Sequence, residues 1–484
     1  MPIHESPSRR TVLLNLGAGA AARALQKKPN VLFFAVDDLN TRLGCYGAEV
    51  KSPNIDALAG RGVRFDRAYC QYPLCNPTRS SLLTGRRPPT TGIMDNLRWF
   101  RKNMPDVVTL PQHFRENGYV TAQTGKIYHG GLDDDRAWVI GGTPLQDRRP
   151  RTPQEQKDRQ RQADRWVAVE GEGEGQPDYR NATRAIELIE QLKGKPFFLA
   201  VGFARPHVPF VAPKKYFDLY DPARIPLPPD FAPMPTGSSE AYRANFDLFI
   251  KREATPELAR QAIAAYYASI SFMDAQLGRV LAALDRLGLR ENTVISLFGD
   301  HGWHLGEKGM WSKMSLFEPV ARAPMMVSAP WLKTAGKASP RTVEFLDLYP
   351  TLVELCGLAA PKGLEGQSLV PLLKDPSARW DKPAFTFIRR GKVLGATVRT
   401  ERYRYTEWDQ GRRLTELYDY QTDPREDRNL AADTKHAATV ARMKALLAKV
   451  PNYPSAATAS ISARASRGSR ATSTVARAGG LSGK

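Results

Sequence analysis

Cysteine is scarce in this chain of 484 residues, which has only Cys45, Cys70, Cys75 and Cys356. Four scattered cysteines are too few for a disulfide framework. Cys45, Cys70 and Cys356 are predicted to be buried as small apolar side chains. After the N-terminal segment, the chain also lacks any uninterrupted apolar run of about 18 residues, the length that a membrane-spanning helix needs. These absences exclude a small disulfide-stapled domain and predict no membrane span.

Negative charge is also in deficit. Lys and Arg number 70 against 50 Asp and Glu, which gives a formal net charge of +20 and a pI near 9.8. Such a balance is compatible with nucleic acid, an anionic membrane or a polyanionic substrate. No nucleic-acid-binding motif with interleaved aromatic residues is present, so no nucleic-acid partner is predicted. Residues 455–484 contain five basic residues and no acid, so part of the excess is predicted to lie away from any substrate.

The N-terminus has the features of an export signal. A twin-arginine pair, Arg9 and Arg10, precedes a short run of small and apolar residues, and Ala22-Arg23-Ala24 resembles a cleavage site. Residues 1–28 are therefore predicted to be a twin-arginine-type signal segment of an exported, periplasmic or secreted protein. The alternative is a basic N-terminus followed by an Ala-rich helix.

Apolar runs of strand length alternate with amphipathic stretches of helical period. The predicted strands lie at 30–38, 120–124, 197–203, 293–298 and 324–328. The clearest predicted helices lie at 179–192 and 256–287. Strands buried on both faces and alternating with helices are typical of a mostly parallel sheet covered on both sides. The sequence therefore predicts an α/β sandwich for the catalytic domain, residues 29–380.

The pattern of apolar and polar residues changes near residue 381. Short alternating strands are predicted at 384–388, 392–399, 403–407 and 414–418, followed by a helix at 434–450. Residues 381–454 are therefore predicted to form a small antiparallel-sheet subdomain. Residues 455–484, rich in Ala, Ser, Arg and Gly, are predicted to be a disordered basic tail. A surface insertion with little regular structure is predicted at 146–175, and a Pro-rich loop at 226–237.

Acidic residues follow two of the predicted strands. Asp37 and Asp38 end the first strand, and Asp300 comes directly after the strand at 293–298 and one intervening glycine. Ligands of open parallel sheets bind at the carboxyl ends of the strands. Adjacent carboxylates repel each other unless a cation lies between them, and Ca²⁺ prefers oxygen ligands. Taken alone, the Asp-Asp pair is also typical of a solvated turn.

The most specific motif is CNPTR at 75–79, followed in register by LTGR at 83–86. It resembles the signature of type I sulfatases, in which the cysteine is oxidised to formylglycine, the aldehyde whose hydrate is the nucleophile. Further ordered motifs from residue 30 to about 430 are similar to the iduronate-2-sulfatase branch of that family. They include VDDL at 36–39, RPHVPF at 205–210 and DHGW at 300–303. The resemblance implies the alkaline-phosphatase/sulfatase-like fold and a formylglycine-generating maturation enzyme as a partner.

The resemblance also assigns roles to individual residues. One Ca²⁺ would be bound by Asp37, Asp38, Asp300 and His301, with formylglycine at Cys75 as a further ligand. Histidine is a poor Ca²⁺ ligand, so the metal identity stays open at this point. The predicted catalytic and substrate-binding residues are Cys75, Arg79, Lys126, His129, His207 and Lys313.

Within that set, Arg79 would hold the aldehyde hydrate, and Lys126 and Lys313 would hold the sulfate. His129 would be the base that regenerates the aldehyde. His207, together with Lys313, would protonate or stabilise the leaving oxygen, and all three of Lys126, His207 and Lys313 would contact substrate. His304 receives no role from the resemblance and is either a contact near the site or structural.

The function predicted from these residues is hydrolysis of sulfate esters on a sulfated sugar or polysaccharide, such as 2-O-sulfated uronate residues. The unmatched insertion at 146–175 borders the predicted pocket, so the sugar is the open part of the prediction. Two alternatives have the same sequence features: a phosphonate or phosphate monoester hydrolase of the same fold, and a non-catalytic polyanion-binding protein.

Overall fold

The apolar run that begins at Asn30 forms a strand in which all seven residues are buried. In the computed structural model, which describes residues 28–142 and 152–454, this strand lies inside a seven-stranded sheet. The strands, in chain order, are β1 (Asn30–Val36), β2 (Val63–Tyr69), β3 (Val120–Gly125), β4 (Trp166–Val169), β5 (Phe197–Phe203), β6 (Phe210–Pro213), β7 (Thr293–Gly299), β8 (His304–Leu305), β9 (Trp311–Ser312), β10 (Met325–Ser328), β11 (Lys337–Glu344), β12 (Ala384–Arg390), β13 (Val393–Arg399), β14 (Tyr403–Trp408) and β15 (Leu414–Asp419).

Helices cover this sheet on both faces, and the last helix packs on a second sheet. They are α1 (Pro53–Gly60), α2 (Cys75–Thr84), α3 (Pro88–Thr91), α4 (Phe100–Asn103), α5 (Leu110–Glu116), α6 (Pro153–Ala163), α7 (Pro177–Leu192), α8 (Lys214–Phe217), α9 (Pro256–Arg286), α10 (Glu318–Ala321), α11 (Leu348–Leu355), α12 (Val370–Lys374) and α13 (Ala437–Leu447). None of the helices in the described ranges combines the length and the apolar character needed to cross a bilayer.

The large sheet has the order β11-β2-β10-β7-β1-β5-β3. Strand β1 pairs in parallel with β5 and β7, and β5 pairs in parallel with β3. Successive side chains of a strand point to opposite faces. Accordingly, Leu32 and Phe34 join the apolar cluster that includes α7 and α9, whereas Val31 and Phe33 join the cluster that includes α2 and α11. The predicted α/β sandwich is confirmed.

The second sheet, β12-β13-β14-β15, is antiparallel throughout. Helix α13 contributes Met443 and Leu447 to the apolar cluster on this sheet, which also contains Phe387 and Trp408. The predicted small C-terminal antiparallel sheet is therefore present, with its strands within two residues of the predicted bounds.

Two sequence-based expectations differ from the structure. The insertion at 146–175, predicted to have little regular structure, contains helix α6, which opens with a reciprocal capping box between Thr152 and Glu155, and strand β4, which pairs with β6. Helix α6 is polar on nearly every face, so no apolar period marked it. Strand β10 runs antiparallel to β2 and β7, because a short apolar run does not encode the direction of its neighbours.

Two other predictions fall outside the part of the chain that the structure describes. They are the signal segment, except for its last residue, and the basic tail at 455–484. The Pro-rich loop predicted at 226–237 does lack helix and strand in the structure.

Candidate active site

The carboxyl ends of two central strands bring the acidic residues together. Val36 and Gly299 are paired in the parallel register of β1 and β7, so Asp37 and Asp300 follow side by side. Asp38 has a φ of 59°, in the left-handed region, and its amide donates to Asp300 Oδ1 at 2.9 Å. The three side chains are at most 2% exposed. Three carboxylates are thus held together away from water, as the sequence predicted for this edge.

Cys75 is the first residue of α2 and is 1% exposed. The helix ends at Gly85, which has a φ of 66° and caps the last turn. Cys75 Sγ lies 3.6 Å from His301 Nε2 and 3.6 Å from Lys313 Nζ. Burial, together with the negative charge of Asp37, raises the pKa of the Cys75 thiol above its ordinary value. An unmodified Cys75 is therefore a neutral thiol and a weak nucleophile.

Arg79 is fully buried one turn after Cys75. Its Nε donates to Asp300 Oδ2 at 3.0 Å and its Nη2 to Asp37 Oδ1 at 3.2 Å. Its Nη1 donates to the backbone carbonyls of Lys126 and Ile127. The guanidinium therefore joins the ends of β1, β3 and β7. The family resemblance implies that Arg79 holds the aldehyde hydrate at residue 75. The structure adds its contacts with two predicted metal ligands, Asp37 and Asp300.

Two lysines complete the charge balance. Lys126 Nζ forms an ion pair with Asp37 Oδ2, and Lys313 Nζ lies 2.7 Å from Asp38 Oδ1. Burial alone would lower the pKa of both ammonium groups, but the carboxylates outweigh it and both pKa values are raised. In return, and against their own burial, the cations and His207 hold the pKa values of Asp37 and Asp38 below the ordinary range. Near neutral pH, Asp37 and Asp38 are therefore carboxylates, and Lys126 and Lys313 are ammonium ions.

Two histidines face the acids. His301 Nδ1 lies 3.0 Å from the Gly302 carbonyl, and its Nε2 lies 3.4 Å from Asp38 Oδ1. His207 Nδ1 lies 2.7 Å from the Val208 carbonyl, and its Nε2 lies 3.8 Å from Asp38 Oδ2. A carbonyl beside Nδ1 fixes the proton there and leaves Nε2 for the site. Burial lowers the pKa of His207 despite the charge of Asp38.

Two further histidines border cavities. His129 lies on the wall of an adjacent cavity of about 360 Å³, which it shares with Lys126, Asp133 and Asn181. His304 is buried, with its Nε2 2.8 Å from Ser315 Oγ. His304 also borders a separate cavity of about 350 Å³, beside Arg42 and Glu307.

The ligand atoms are spaced for a cation. One atom from each of Asp37, Asp38, Cys75 and His207 lies within 4.8 Å of the others, and the same holds for Cys75, Asp300 and His301. Asp38 Oδ2 is buried and has no hydrogen-bond partner among the described residues. A buried carboxylate oxygen needs a partner, and hard divalent cations take oxygen ligands. The donor set therefore fits a divalent metal ion.

Sequence reasoning passed over Asp178. It lies in the first turn of α7, is 1% exposed, and accepts hydrogen bonds from the backbone of the segment that carries His207. In the sequence it precedes the predicted helix at 179–192 and looks like an ordinary acid near a helix start. Nothing local could reveal a partner some 26 residues away.

Comparisons with known proteins agree with this geometry. Residues 29–358 match the family model described as sulfatase, and residues 306–452 match the C-terminal model of N-sulphoglucosamine sulphohydrolase. The chain is 34% identical to iduronate 2-sulfatase of Mus musculus, over 84% of this chain and 91% of that protein.

Two solved structures are also similar. A 2-O GAG sulfatase has a TM-score of 0.67 and 26% identity, covering 87% of this chain and 91% of that one. A phosphonate monoester hydrolase of Agrobacterium radiobacter has a TM-score of 0.71 and 24% identity, covering 87% and 95%. The second likeness supports the fold alone.

Proposed function

The chain belongs to the sulfatase family, whose members hydrolyse sulfate esters, and we propose that it desulfates a carbohydrate carrying 2-O-sulfated uronate residues. The observation that carries the proposal is the setting of Cys75. Cys75 is the first residue of α2, and its buried Sγ lies 3.6 Å from both Lys313 Nζ and His301 Nε2, beside three carboxylates. The raised pKa makes this thiol unsuitable as a thiolate nucleophile, which supports its conversion to formylglycine. Formylglycine, as its hydrate, supplies the oxygen nucleophile for sulfur.

A divalent cation, proposed to be Ca²⁺, would be held by Asp37, Asp38, Asp300 and His301, with the residue at position 75 as a further ligand. Such an ion supplies positive charge that polarises bound oxygens. Arg79 binds Asp37 and Asp300 and so orients two of these ligands before any ion arrives. Its role is therefore to position carboxylates as well as to face the nucleophile.

Lys126 and Lys313 are proposed to bind the sulfate oxygens. Transfer of a sulfuryl group between oxygens resembles phosphoryl transfer, in which charge spreads over three equatorial oxygens. Fixed cations placed where this charge develops lower the barrier. Both lysines stay protonated because their carboxylate partners raise their pKa values against the effect of burial.

His207 is proposed to donate a proton from Nε2 to the oxygen of the leaving alcohol. Its Nδ1 is occupied by the Val208 carbonyl, so Nε2 is the nitrogen that faces the site. Because burial lowers its pKa, the imidazolium is a stronger acid than an exposed one. A ring nitrogen of His129 is proposed to take up the proton released when sulfate departs.

The proposed sugar rests on two likenesses and on charge. The mouse relative is named iduronate 2-sulfatase, and the 26% identical structure is titled a 2-O GAG sulfatase. A net charge of +20 suits a polyanionic substrate. We further propose that the chain is exported through its Arg9-Arg10 segment after a formylglycine-generating enzyme has modified Cys75.

The test combines peptide mass spectrometry with an assay of a 2-O-sulfated uronate disaccharide. Protein from a host that makes formylglycine should contain a peptide whose mass matches an aldehyde at position 75, and it should release sulfate. Cys75→Ala should lower the rate by about 10⁵-fold or more, because the nucleophile is lost. Cys70→Ala is the matched control, since Cys70 is also fully buried but is predicted to serve packing.

The same assay separates the competing functions. Faster hydrolysis of a phenylphosphonate monoester than of any sulfate ester would favour the phosphonate hydrolase, whose fold this chain shares. Unmodified cysteine in a competent host, without sulfate release, would contradict the proposal.

A further inference from the structure

The segment that carries His207 is held from outside by a buried carboxylate. Asp178 Oδ1 accepts the amide N–H of Ala204 at 2.7 Å, and its Oδ2 accepts that of Arg205 at 2.9 Å. Both oxygens are thus directed at two successive amides of another segment instead of the N-terminus of α7, where Asp178 itself lies. An acid that served only its own helix would face its own first turn.

Arg205, which belongs to the same segment, binds two of its backbone carbonyls. Its Nη1 donates to the carbonyls of His207 and Pro209, each at 2.7 Å. The amide of His207 donates to the Ala204 carbonyl at 2.9 Å. With Nδ1 of His207 against the Val208 carbonyl, the backbone and the ring of this residue are both fixed. The imidazole is therefore held by a network that begins at Asp178.

Keeping Asp178 ionised in this buried position costs free energy. Burial raises the pKa of Asp178 to about 6, although the two backbone hydrogen bonds and the charge of Arg205 oppose the shift. A buried ionisable group that is destabilised in this way is more often found at functional sites than elsewhere. Asparagine has the same shape but can accept these bonds through only one of its two terminal atoms.

We propose that Asp178 and Arg205 are positioning residues that aim His207 Nε2 at the leaving oxygen. The inference rests on the proposed function, in which His207 is the proton donor. A proton donor placed wrongly by about 1 Å loses much of its effect. Loss of positioning should therefore matter only for leaving groups that need a proton.

The chain offers a matched control in Asp274 on α9. Its Oδ1 accepts the amide of Ile55 at 2.7 Å and its Oδ2 accepts the amide of Asn54 at 3.1 Å, with the Asn54 side chain as an additional donor. Burial raises its pKa to about 6 as well. The turn that it holds opens α1 (Pro53–Gly60), which contains none of the predicted site residues.

The experiment measures kcat on sulfate esters of graded leaving-group acidity: 4-nitrophenyl sulfate, phenyl sulfate and the 2-O-sulfated disaccharide. Asp178→Asn should lower kcat by about 10²-fold on the disaccharide, the usual contribution of a general acid. The loss on 4-nitrophenyl sulfate should stay below about threefold, since that phenolate departs without a proton. Asp274→Asn should change all esters by one common factor.

Two further variants keep the test decisive. Arg205→Met should show the same dependence on the leaving group, even if Asp178→Asn folds poorly. In a His207→Ala background, Asp178→Asn should cost almost nothing more, because the two residues act through one proton. Equal losses on every ester, or additive losses in the double variant, would overturn the inference. Failure of the wild-type protein on all of the esters would instead refute the proposed function.

Discussion

Two of the buried ionic clusters in the described residues differ in how completely their carboxylate oxygens are paired. The first, at the proposed active site and here called the catalytic cluster, contains Asp37, Asp38 and Asp300 with Arg79, Lys126 and Lys313. The second, here called the C-terminal ion cluster, contains Glu318, Glu426, Arg399 and Arg404 with Tyr69 and Tyr420. Both are largely buried and both are dense in charge.

The carboxylates of the C-terminal ion cluster are fully paired, whereas Arg399 Nε has no hydrogen-bond partner among the described residues. Glu318 accepts from Tyr69 and pairs with Arg404, while Glu426 pairs with Arg404 and accepts from the Glu318 amide. The one hydroxyl proton of Tyr420 is within reach of either glutamate. Every carboxylate oxygen of the two glutamates thus has a partner. Although burial opposes it, the charges of Arg399 and Arg404 lower the pKa of Glu318 to about 2.

The catalytic cluster is incomplete in comparison. Asp38 Oδ2 has no hydrogen-bond partner among the described residues, and the Cys75 thiol is buried against charged groups. A polar network that serves stability alone is expected to be satisfied. The contrast teaches that burial and charge do not distinguish a functional cluster from a structural one, whereas an unsatisfied oxygen beside a reactive residue does.

Metal removal should have the largest effect, because only the catalytic cluster is proposed to need an ion. Exhaustive chelation should abolish hydrolysis and lower the melting temperature by about 3 °C, because a ligand at 100 times its Kd stabilises by about 2.7 kcal/mol and a chain of this length has a large unfolding entropy. Restoring Ca²⁺ should recover both, and Mg²⁺ should recover less, because it demands a smaller, octahedral site. An unchanged melting curve, with no metal found by elemental analysis, would show that the carboxylates need no ion.

The catalytic cluster was largely predictable because most of its residues lie at the ends of predicted strands or within a recognisable sequence motif. Asp37, Asp38 and Asp300 follow strands that the apolar pattern identifies, and parallel pairing of those strands brings the acids together. Cys75 and Arg79 lie in one motif at a spacing of one helical turn. The resemblance to a known family supplied the remaining roles.

The rest depends on partners that are remote in sequence. The contacts of Arg79 with Asp300 span 221 residues, and those of Arg404 with Glu318 span 86. Strands β2 and β11 were not predicted, because their buried positions are interrupted by exposed or half-buried charges such as Arg64 and Lys337. Local patterns encode which face is buried, but not which distant charge will neutralise a buried acid.

Breaking the C-terminal ion cluster should lower the stability of the protein and leave catalysis unchanged. Arg404→Met leaves Glu318 and Glu426 buried without their main cation and should destabilise the protein by about 3–5 kcal/mol. The value of kcat per folded molecule should stay within about twofold, measured below the unfolding transition. Chemical denaturation gives the loss of stability.

Arg402→Met is the matched control for that variant. Arg402 pairs with Asp419 at 2.7 Å, but its side chain is 52% exposed, so its loss should cost less than about 1 kcal/mol. Equal destabilisation by the two substitutions would mean that the C-terminal ion cluster is no more important than a surface ion pair.

The smallest expected effect concerns Glu416, which borders the C-terminal ion cluster but forms no ion pair among the described residues. Burial and the charge of Glu426 raise its pKa from 4.5 to about 7, against a hydrogen bond from Tyr418. The folded state therefore binds the proton more tightly than the unfolded state. Its contribution to stability is present below pH 4.5 and is lost as the pH rises to about 7.

Glu416→Gln removes this titration while keeping an oxygen for Tyr418. Relative to wild type, the variant should gain about 1–2 kcal/mol in unfolding free energy at pH 8, and the gain should shrink towards zero at pH 5. Urea unfolding at the two pH values measures the difference. A gain that did not depend on pH would mean that Glu416 has the same pKa in the folded and unfolded states. The charge of Arg404 would then stabilise the Glu416 carboxylate enough to offset its burial. The C-terminal ion cluster would then include Glu416 as well.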